Sequence, residues 1–528
     1  MIFGVRRRTA TLVALAASGS LLLTACQVAS AGADNDPAHS AKLQKFYNQK
    51  PRWKNCGDGL QCASLKVPMD YKKPKGRTFT LPLVKHPAEN RKKRIGAIVY
   101  NPGGPGASGV EDLKGGTITT FGKKVRARFD VVSFDPRGVG GSKPAIKCPW
   151  KEGGSGGGEA SAPTLYPDDA QERRTALAGA DAEAKNCRKG TGEVLRHVGT
   201  PDAARDVDVL RSVLGDKKIN FLGWSYGTSL GTTYGELFPH RVRTMVLDGA
   251  VDPSLNWQQR ALSQGTAFAK SIDDYAQFCP DLAGDRCPGT TPEEIRDVVD
   301  TLYRDVEAEP LPVQGSETTV DIQTLHGVIT DAMYSPEDQW EGLSDALWEA
   351  YDQGDGTKLQ KLSDGEEPET ETARTAARTM ERTAARAAAK AEDNSGDALL
   401  AINCLDIPHP KDPGAYWKAL GGAHRKAGVF GTQSIVDEMS CRNWPKGTTK
   451  PHRAKTPGMA PALVIGTTGD PATPYHEARS LAKQLPKGML LTYEGLGHTA
   501  YGRGGSCVSK IVDDYFLHRK KIRAGATC

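Results

Sequence analysis

The pentapeptide Gly223-Trp224-Ser225-Tyr226-Gly227 restricts the fold of this chain more than any other feature. It lies between a short apolar run at residues 219–222 and a helix-compatible stretch at 228–237. A serine between two glycines at a strand-to-helix junction marks a sharp turn that lifts its hydroxyl off the end of a sheet. The glycines are required because side chains there would collide with neighbouring backbone. The helix start behind Ser225 also favours negative charge as it develops.

The same rhythm recurs along the chain. Apolar runs at 95–100, 129–134, 219–222, 242–247, 463–466 and 489–493 each end in a glycine-rich or Asp-Gly loop. Short β-rich runs that end this way predict a parallel sheet, with reactive groups gathered at the carboxyl ends of its strands. A helix is expected over 201–214, where Ala204, Val207, Leu210 and Leu214 share a face. Two further strand-like runs fall within 63–86, around the turn Lys73-Pro74-Lys75-Gly76. From residue 252 to about 455 the strand rhythm stops and the sequence turns helical, which predicts a cap inserted into the sheet domain. The expected division is 1–25 targeting segment, 26–62 tether (polar over 27–50) and N-terminal extension, 63–252 first core part, 253–455 helical cap and 456–528 second core part. Residues 152–162 are Gly/Ser-rich and predict a loop. Arg374, Arg378, Arg382 and Arg386 recur every four residues in an Ala-rich stretch, as on a solvated helix face.

A serine hydroxyl is a weak nucleophile and needs a base, which in turn needs an orienting group. Asp470, in Gly469-Asp470-Pro471, follows one expected strand, and His498, in Gly497-His498-Thr499, follows the last. The order Ser225, Asp470, His498 is that of the α/β-hydrolase fold, a mostly parallel sheet with helices on both faces. His476 falls at a helix start, and His240 and His424 have no strand-end setting. Acyl transfer also needs donors for an oxyanion. One is expected from the backbone N–H of Tyr226, the other from Asn101-Pro-Gly-Gly-Pro-Gly106, with Gly104 favoured over Gly103. The prolines have no N–H to offer. Epoxide and haloalkane hydrolases carry an acid at the elbow, so Ser225 excludes them. Triad chemistry calls for no cofactor, and no phosphate-cradling or metal motif is present.

Residues 1–25 combine Arg6, Arg7 and Arg8 with an apolar stretch at 12–23 and small residues before Cys26, the plan of a secretory signal. The apolar stretch is too short to span a membrane. Leu23-Thr24-Ala25-Cys26 resembles a bacterial lipobox, which implies lipidation of Cys26 and an anchored or secreted enzyme on the outer face of the membrane. The other ten cysteines can pair in an oxidising compartment, for which sequence neighbours offer one plausible scheme. Those three arginines carry half of the formal net charge of +6, leaving +3 for a chain that starts at Cys26. So mild a balance argues against nucleic acid as a partner, and a monomer is expected.

Five segments together resemble the secreted bacterial tripeptidyl aminopeptidases, relatives of the prolyl iminopeptidases. They are Asn-Pro-Gly-Gly-Pro-Gly106, Phe134-Asp-Pro-Arg-Gly-Val-Gly-Gly-Ser142, Gly-Trp-Ser-Tyr-Gly-Thr228, Leu247-Asp-Gly-Ala-Val-Asp-Pro253 and Gly-Asp-Pro-Ala-Thr-Pro474. Prolyl iminopeptidases open the oxyanion motif with His, whereas this chain has Asn101. The resemblance implies a serine exopeptidase that releases short peptides, tripeptides, from free N-termini through an acyl-enzyme. That specificity needs an anion to pair the substrate's ammonium group. Asp406, in Ala401-Ile-Asn-Cys-Leu-Asp406, is the candidate, with a structural role beside Cys404 as the alternative. A secreted carboxylesterase with the same triad, or a non-catalytic peptide-binding lipoprotein, are the rival functions.

Overall fold

Each of the six apolar runs that end in a glycine-rich or Asp-Gly loop is a strand of one sheet. The structure, a computed structural model, describes residues 40–149, 164–366, 393–447 and 449–528. Cys26, the Gly/Ser-rich segment 152–162 and the arginine-bearing segment 373–391 lie outside the described residues.

The strands are β1 (Lys54–Asn55), β2 (Gln61–Pro68), β3 (Thr78–His86), β4 (Gly96–Asn101), β5 (Phe129–Phe134), β6 (Ile219–Trp224), β7 (Val242–Asp248), β8 (Leu311–Pro312), β9 (Thr319–Val320), β10 (Ala462–Gly469), β11 (Gly488–Leu496) and β12 (Ala526–Thr527). Among the described residues, ten of them form one sheet in the order β1-β2-β3-β5-β4-β6-β7-β10-β11-β12. The ladders from β5 through β12 are parallel, and those joining β1, β2 and β3 into the sheet are antiparallel. Central β6 is buried along its whole length, as a strand covered on both faces must be. Ile219 and Phe221 pack into the cluster on one face, Leu222 and Trp224 into that on the other. Helices Thr200–Val213 and Tyr226–Leu237 cover the first face through Val207, Leu210, Leu230 and Tyr234. Helix Gly505–His518 covers the second through Val508, Val512 and Phe516.

Between β7 and β10 the chain forms helices Trp257–Ala283, Pro292–Ala308, Ile322–Ala332, Pro336–Gln353 and Gly414–Asp437, with the small β8–β9 hairpin. Tyr275, Leu325, Trp340 and Phe430 help to form a hydrophobic cluster separate from the sheet's. Two stretches depart from the sequence-based division. Helix Ser395–Asp406, expected within the cap, buries Ala398, Ala401 and Leu405 in the cluster on the sheet. The polar tether expected to residue 50 ends earlier, because Leu43, Phe46 and Tyr47 dock on that cluster and the Tyr47 hydroxyl donates to Asp208 at 2.8 Å. Their spacing of three and four residues is helical, a signal overlooked among polar neighbours. Disulfides join Cys56–Cys62, Cys148–Cys187, Cys279–Cys287, Cys404–Cys441 and Cys507–Cys528.

Candidate active site

Ser225 stands between β6 and helix Tyr226–Leu237 with φ 54° and ψ −124°. A non-glycine residue pays for that conformation, and the surroundings hold it there. Its N–H donates to the Asp248 carbonyl at 2.9 Å, and its carbonyl accepts from the Thr228 hydroxyl at 2.7 Å. The flanking glycines are forced by contact: a Cβ on Gly223 would lie 2.2 Å from the Gly227 carbonyl oxygen, and one on Gly227 would lie 2.6 Å from that of Asn101.

Asp470 follows the end of β10, buried, and its carboxylate is heavily engaged. It accepts from the N–H of Ala472 at 3.0 Å and Thr473 at 2.8 Å, from the Thr473 hydroxyl at 3.0 Å and from the N–H of Thr499 at 3.2 Å. His498 Nδ1 lies 2.9 and 3.0 Å from its two oxygens. A carboxylate with this many donors is fixed in place and fixes the imidazole with it. His498 Nε2 is buried and makes no hydrogen bond, to Ser225 or to any other described residue. Ser225 and His498 line the same cavity, of about 570 Å³. Catalytic hydrogen bonds are commonly long before substrate binds.

Four further groups hold His498 and its loop. The Tyr334 carbonyl accepts from its N–H at 2.9 Å, and the Tyr334 ring stands edge-on to the imidazole at 5.2 Å and 86°. Arg503 donates to the carbonyls of Leu496, His498 and Thr499, and to Glu337 of the cap at 2.7 Å. Asp248, at the end of β7, accepts from the N–H groups of Ala500 and Tyr501; burial pushes its carboxyl up to about 6. Thr473 is the fourth, with its hydroxyl also 3.3 Å from Nδ1. The spacing in Asp470-Pro-Ala-Thr473 suits a carboxylate that bonds the backbone two and three residues on, so that signal was available. Tyr334 acts through tertiary contacts that no local pattern announces, and Arg503 joins carbonyls of its own loop to Glu337 of the cap.

In the loop after β4, Gly104 faces the cavity, whereas the Gly103 N–H already donates to Asn101 Oδ1 at 3.2 Å. The Tyr226 N–H opens its helix and so has no acceptor within it. The following helix, Gly109–Lys114, is tied down by Asp135, which accepts from the Ser108 hydroxyl at 2.6 Å and the N–H groups of Val110 and Gly141.

Asp406 is not brought to Ser225. It lines a separate small cavity with Pro201 and Gly447. Its carboxylate accepts from the Thr200 N–H at 2.9 Å and from the Thr200 hydroxyl, which in turn bonds the Tyr226 hydroxyl. Burial pushes the Asp406 carboxyl up to about 6. The expectation that it anchors a substrate ammonium is therefore corrected. Its helix packs on the sheet, where the carboxylate caps helix Thr200–Val213. His476 bonds Ser263 outside the active-site cavity. His409, Glu438 and Cys441 converge within 4.8 Å, but Cys441 is spent in a disulfide, so this cluster offers no thiolate to a metal.

Comparison with known proteins gives two family matches and several relatives. Residues 96–286 match the family described as alpha/beta hydrolase fold, and residues 427–528 match the family described as TAP-like protein. Serine protease Hip1 of Mycobacterium tuberculosis is 36% identical over 488 residues, covering 89% of this chain and 87% of that protein. Tripeptidyl aminopeptidase of Streptomyces lividans is 30% identical over 489 residues, covering 90% and 86%. Carboxylesterase B of Mycobacterium tuberculosis is 32% identical over 471 residues, covering 87% and 84%.

Proposed function

The chain belongs to the α/β-hydrolase family that includes serine protease Hip1 and tripeptidyl aminopeptidase, and from that premise we propose that it is a serine exopeptidase releasing short peptides, tripeptides, from free N-termini. The observation that carries the chemistry is His498, held through Nδ1 by Asp470 while its unpartnered Nε2 shares a cavity with the strained Ser225. In this reading Ser225 Oγ attacks the scissile carbonyl and His498 Nε2 takes its proton. Asp470 orients the imidazole through Nδ1 and stabilises the imidazolium that forms. The N–H groups of Tyr226 and Gly104 receive the oxyanion; Gly103, whose N–H is engaged, shapes the loop. His498 then protonates the leaving amine, an acyl-enzyme remains on Ser225, and water activated by His498 releases it. Residue chemistry suffices for every step.

The test is hydrolysis of tripeptidyl arylamides with free and acetylated amino ends, by wild type and Ser225→Ala. Turnover of the free-amine substrates that is lost in the variant supports the proposal. Carboxylesterase B is the relative that favours a second reading, a secreted carboxylesterase. Turnover of short acyl esters with no amide hydrolysis would establish that one instead.

The lipobox-like Leu-Thr-Ala-Cys26 and the five disulfides support export and lipidation at Cys26. Among the described residues no helix is long and apolar enough to cross a membrane. Incorporation of a labelled fatty acid that disappears in Cys26→Ala tests the anchor.

A further inference from the structure

Asp112 projects from helix Gly109–Lys114, directly after the glycine loop, and lines the cavity that holds Ser225 and His498. Its Oδ2 accepts from the Tyr100 hydroxyl at 2.7 Å, and it forms no ion pair with any described residue. Burial pushes its carboxyl above the usual range, while the hydroxyls of Tyr100 and Thr117 pull it back down. The basic side chains on the cavity wall are spoken for: Arg503 is paired with Glu337, and His498 is hydrogen-bonded to Asp470. Trp224 and Tyr501 line the same cavity with rings stacked at 6.3 Å. The wall thus carries one anion without a cation among the described residues. A partly desolvated carboxylate is costly unless paired, and its pairing recovers that cost. The buried Tyr100 hydroxyl needs an acceptor, but a neutral side chain would serve it equally well.

We propose that Asp112 is a specificity-determining residue that binds a positive charge on the substrate, an alkylammonium or guanidinium group, within the cavity that holds the reacting serine. The cation comes either from the peptide's free amino end or from a basic side chain. The proposal rests on the peptidase reading for its substrate and replaces Asp406 as the anion that such a substrate meets.

The test uses four p-nitroanilides, Ala-Ala-Ala and Ala-Ala-Lys, each with a free and an acetylated amino end, together with the four corresponding p-nitrophenyl esters. The readout is the ratio of kcat/KM for charged over neutral substrates, with active enzyme counted by fluorophosphonate labelling. Wild type is expected to prefer the charged member at least tenfold in one arm, and Asp112→Asn to bring that ratio close to one. The arm that collapses identifies the cation's source: the free-versus-acetylated pair for the amino end, the Lys-versus-Ala pair for the side chain. Asp112→Glu should restore part of the ratio. Charge ratios that are the same in Asp112→Asn and wild type, in both arms, overturn the proposal. Should the variants fail to fold, wild type decides alone: a free tripeptide amide that inhibits no better than its acetylated form, with no gain from lysine, also overturns it. Ester turnover without any anilide turnover refutes the peptidase reading, while the ester ratios still test Asp112.

Discussion

Gly103 shows how closely the glycine loop is fitted against the elbow. Its φ is +109°, and a Cβ there would lie 2.8 Å from the Trp224 carbonyl oxygen and 2.9 Å from the Ser225 Cβ. None of these is the far end of a flexible side chain, so Gly103→Ala must push the two loops apart in addition to straining its own backbone. Loss of one oxyanion donor costs about 100- to 1,000-fold in turnover. Gly103→Ala misplaces both Tyr226 and Gly104, so at least that loss in kcat is expected, measured on peptide arylamides, with a matching fall in fluorophosphonate labelling rate. Unaltered labelling would show that the loop gives way freely. Ser225, Asp470 and His498 were legible in the sequence because each occupies a strand-end loop with glycine beside it, and chain order fixed their sequence. Thr473 was within reach of local turn chemistry. Arg503 bonds carbonyls four to seven residues before it with no motif to mark it, and Tyr334 and Asp248 were not legible because each acts on a backbone group far away along the chain. Asp406 was misread for the same reason: nothing local shows that Thr200 already occupies its carboxylate.

At the scale of elements, two buried sites built on ionisable side chains tie helices to the elements beside them. Arg137, in the Asp135-Pro-Arg-Gly138 loop after β5, is fully buried and makes a two-pronged contact with Asp206 of helix Thr200–Val213, at 2.7 and 2.6 Å. It also donates to the carbonyls of Pro68, Met69 and His197. Arg137→Ala leaves Asp206 buried without its cation, which costs about 3–5 kcal/mol. The expected outcome is a lower urea midpoint with an unchanged m-value, read by circular dichroism. A second site lies where helix Tyr475–Gln484 meets the cap. Glu477 accepts from the Asp252 N–H at 3.0 Å and the Ser263 hydroxyl at 2.6 Å, and burial pushes its carboxyl from 4.5 up to about 7. Between those values the folded protein holds a proton that the unfolded chain releases, so Glu477 adds stability at pH below 4.5 and that contribution is lost as pH rises through 7. Glu477→Gln keeps an acceptor and removes the ionisation. Its melting temperature should therefore fall less than that of wild type between pH 5 and pH 8. Equal slopes would mean that Glu477 is ionised in the fold throughout. The sheet's parallel strands were legible because each apolar run ends at a loop. Burial of these charged side chains was not, since Arg and Glu on a helix or loop ordinarily predict solvent.

Over the whole molecule, the sheet and the cap are separate hydrophobic bodies whose contacts include the histidine loop and helix Tyr475–Gln484, and a disulfide steadies the chain near their junction. Cys148–Cys187 illustrates the point, because it joins residues 39 apart and ties the chain beyond β5 to helix Ala170–Thr191. The Cys148 N–H donates to Asp397 at 2.7 Å, in the first turn of helix Ser395–Asp406, so this one bond also steadies the return of the chain from the cap to the sheet. Cross-linking a loop of that length restricts the unfolded chain by about 4 kcal/mol in the chain-entropy treatment. Both cysteines are buried, so replacing the pair with alanine leaves small apolar side chains in an apolar site. The Cys148→Ala/Cys187→Ala protein should therefore unfold at a markedly lower temperature while its Ser225 still labels at wild-type rate in the cold, since the bond lines no part of the active-site cavity. A melting temperature equal to that of wild type would mean that the segments around helix Ala170–Thr191 are already held by packing and hydrogen bonds alone. A labelling rate that falls with the bond removed would mean instead that the return of the chain from cap to sheet sets the geometry at Ser225, making the cap's anchorage part of the catalytic apparatus.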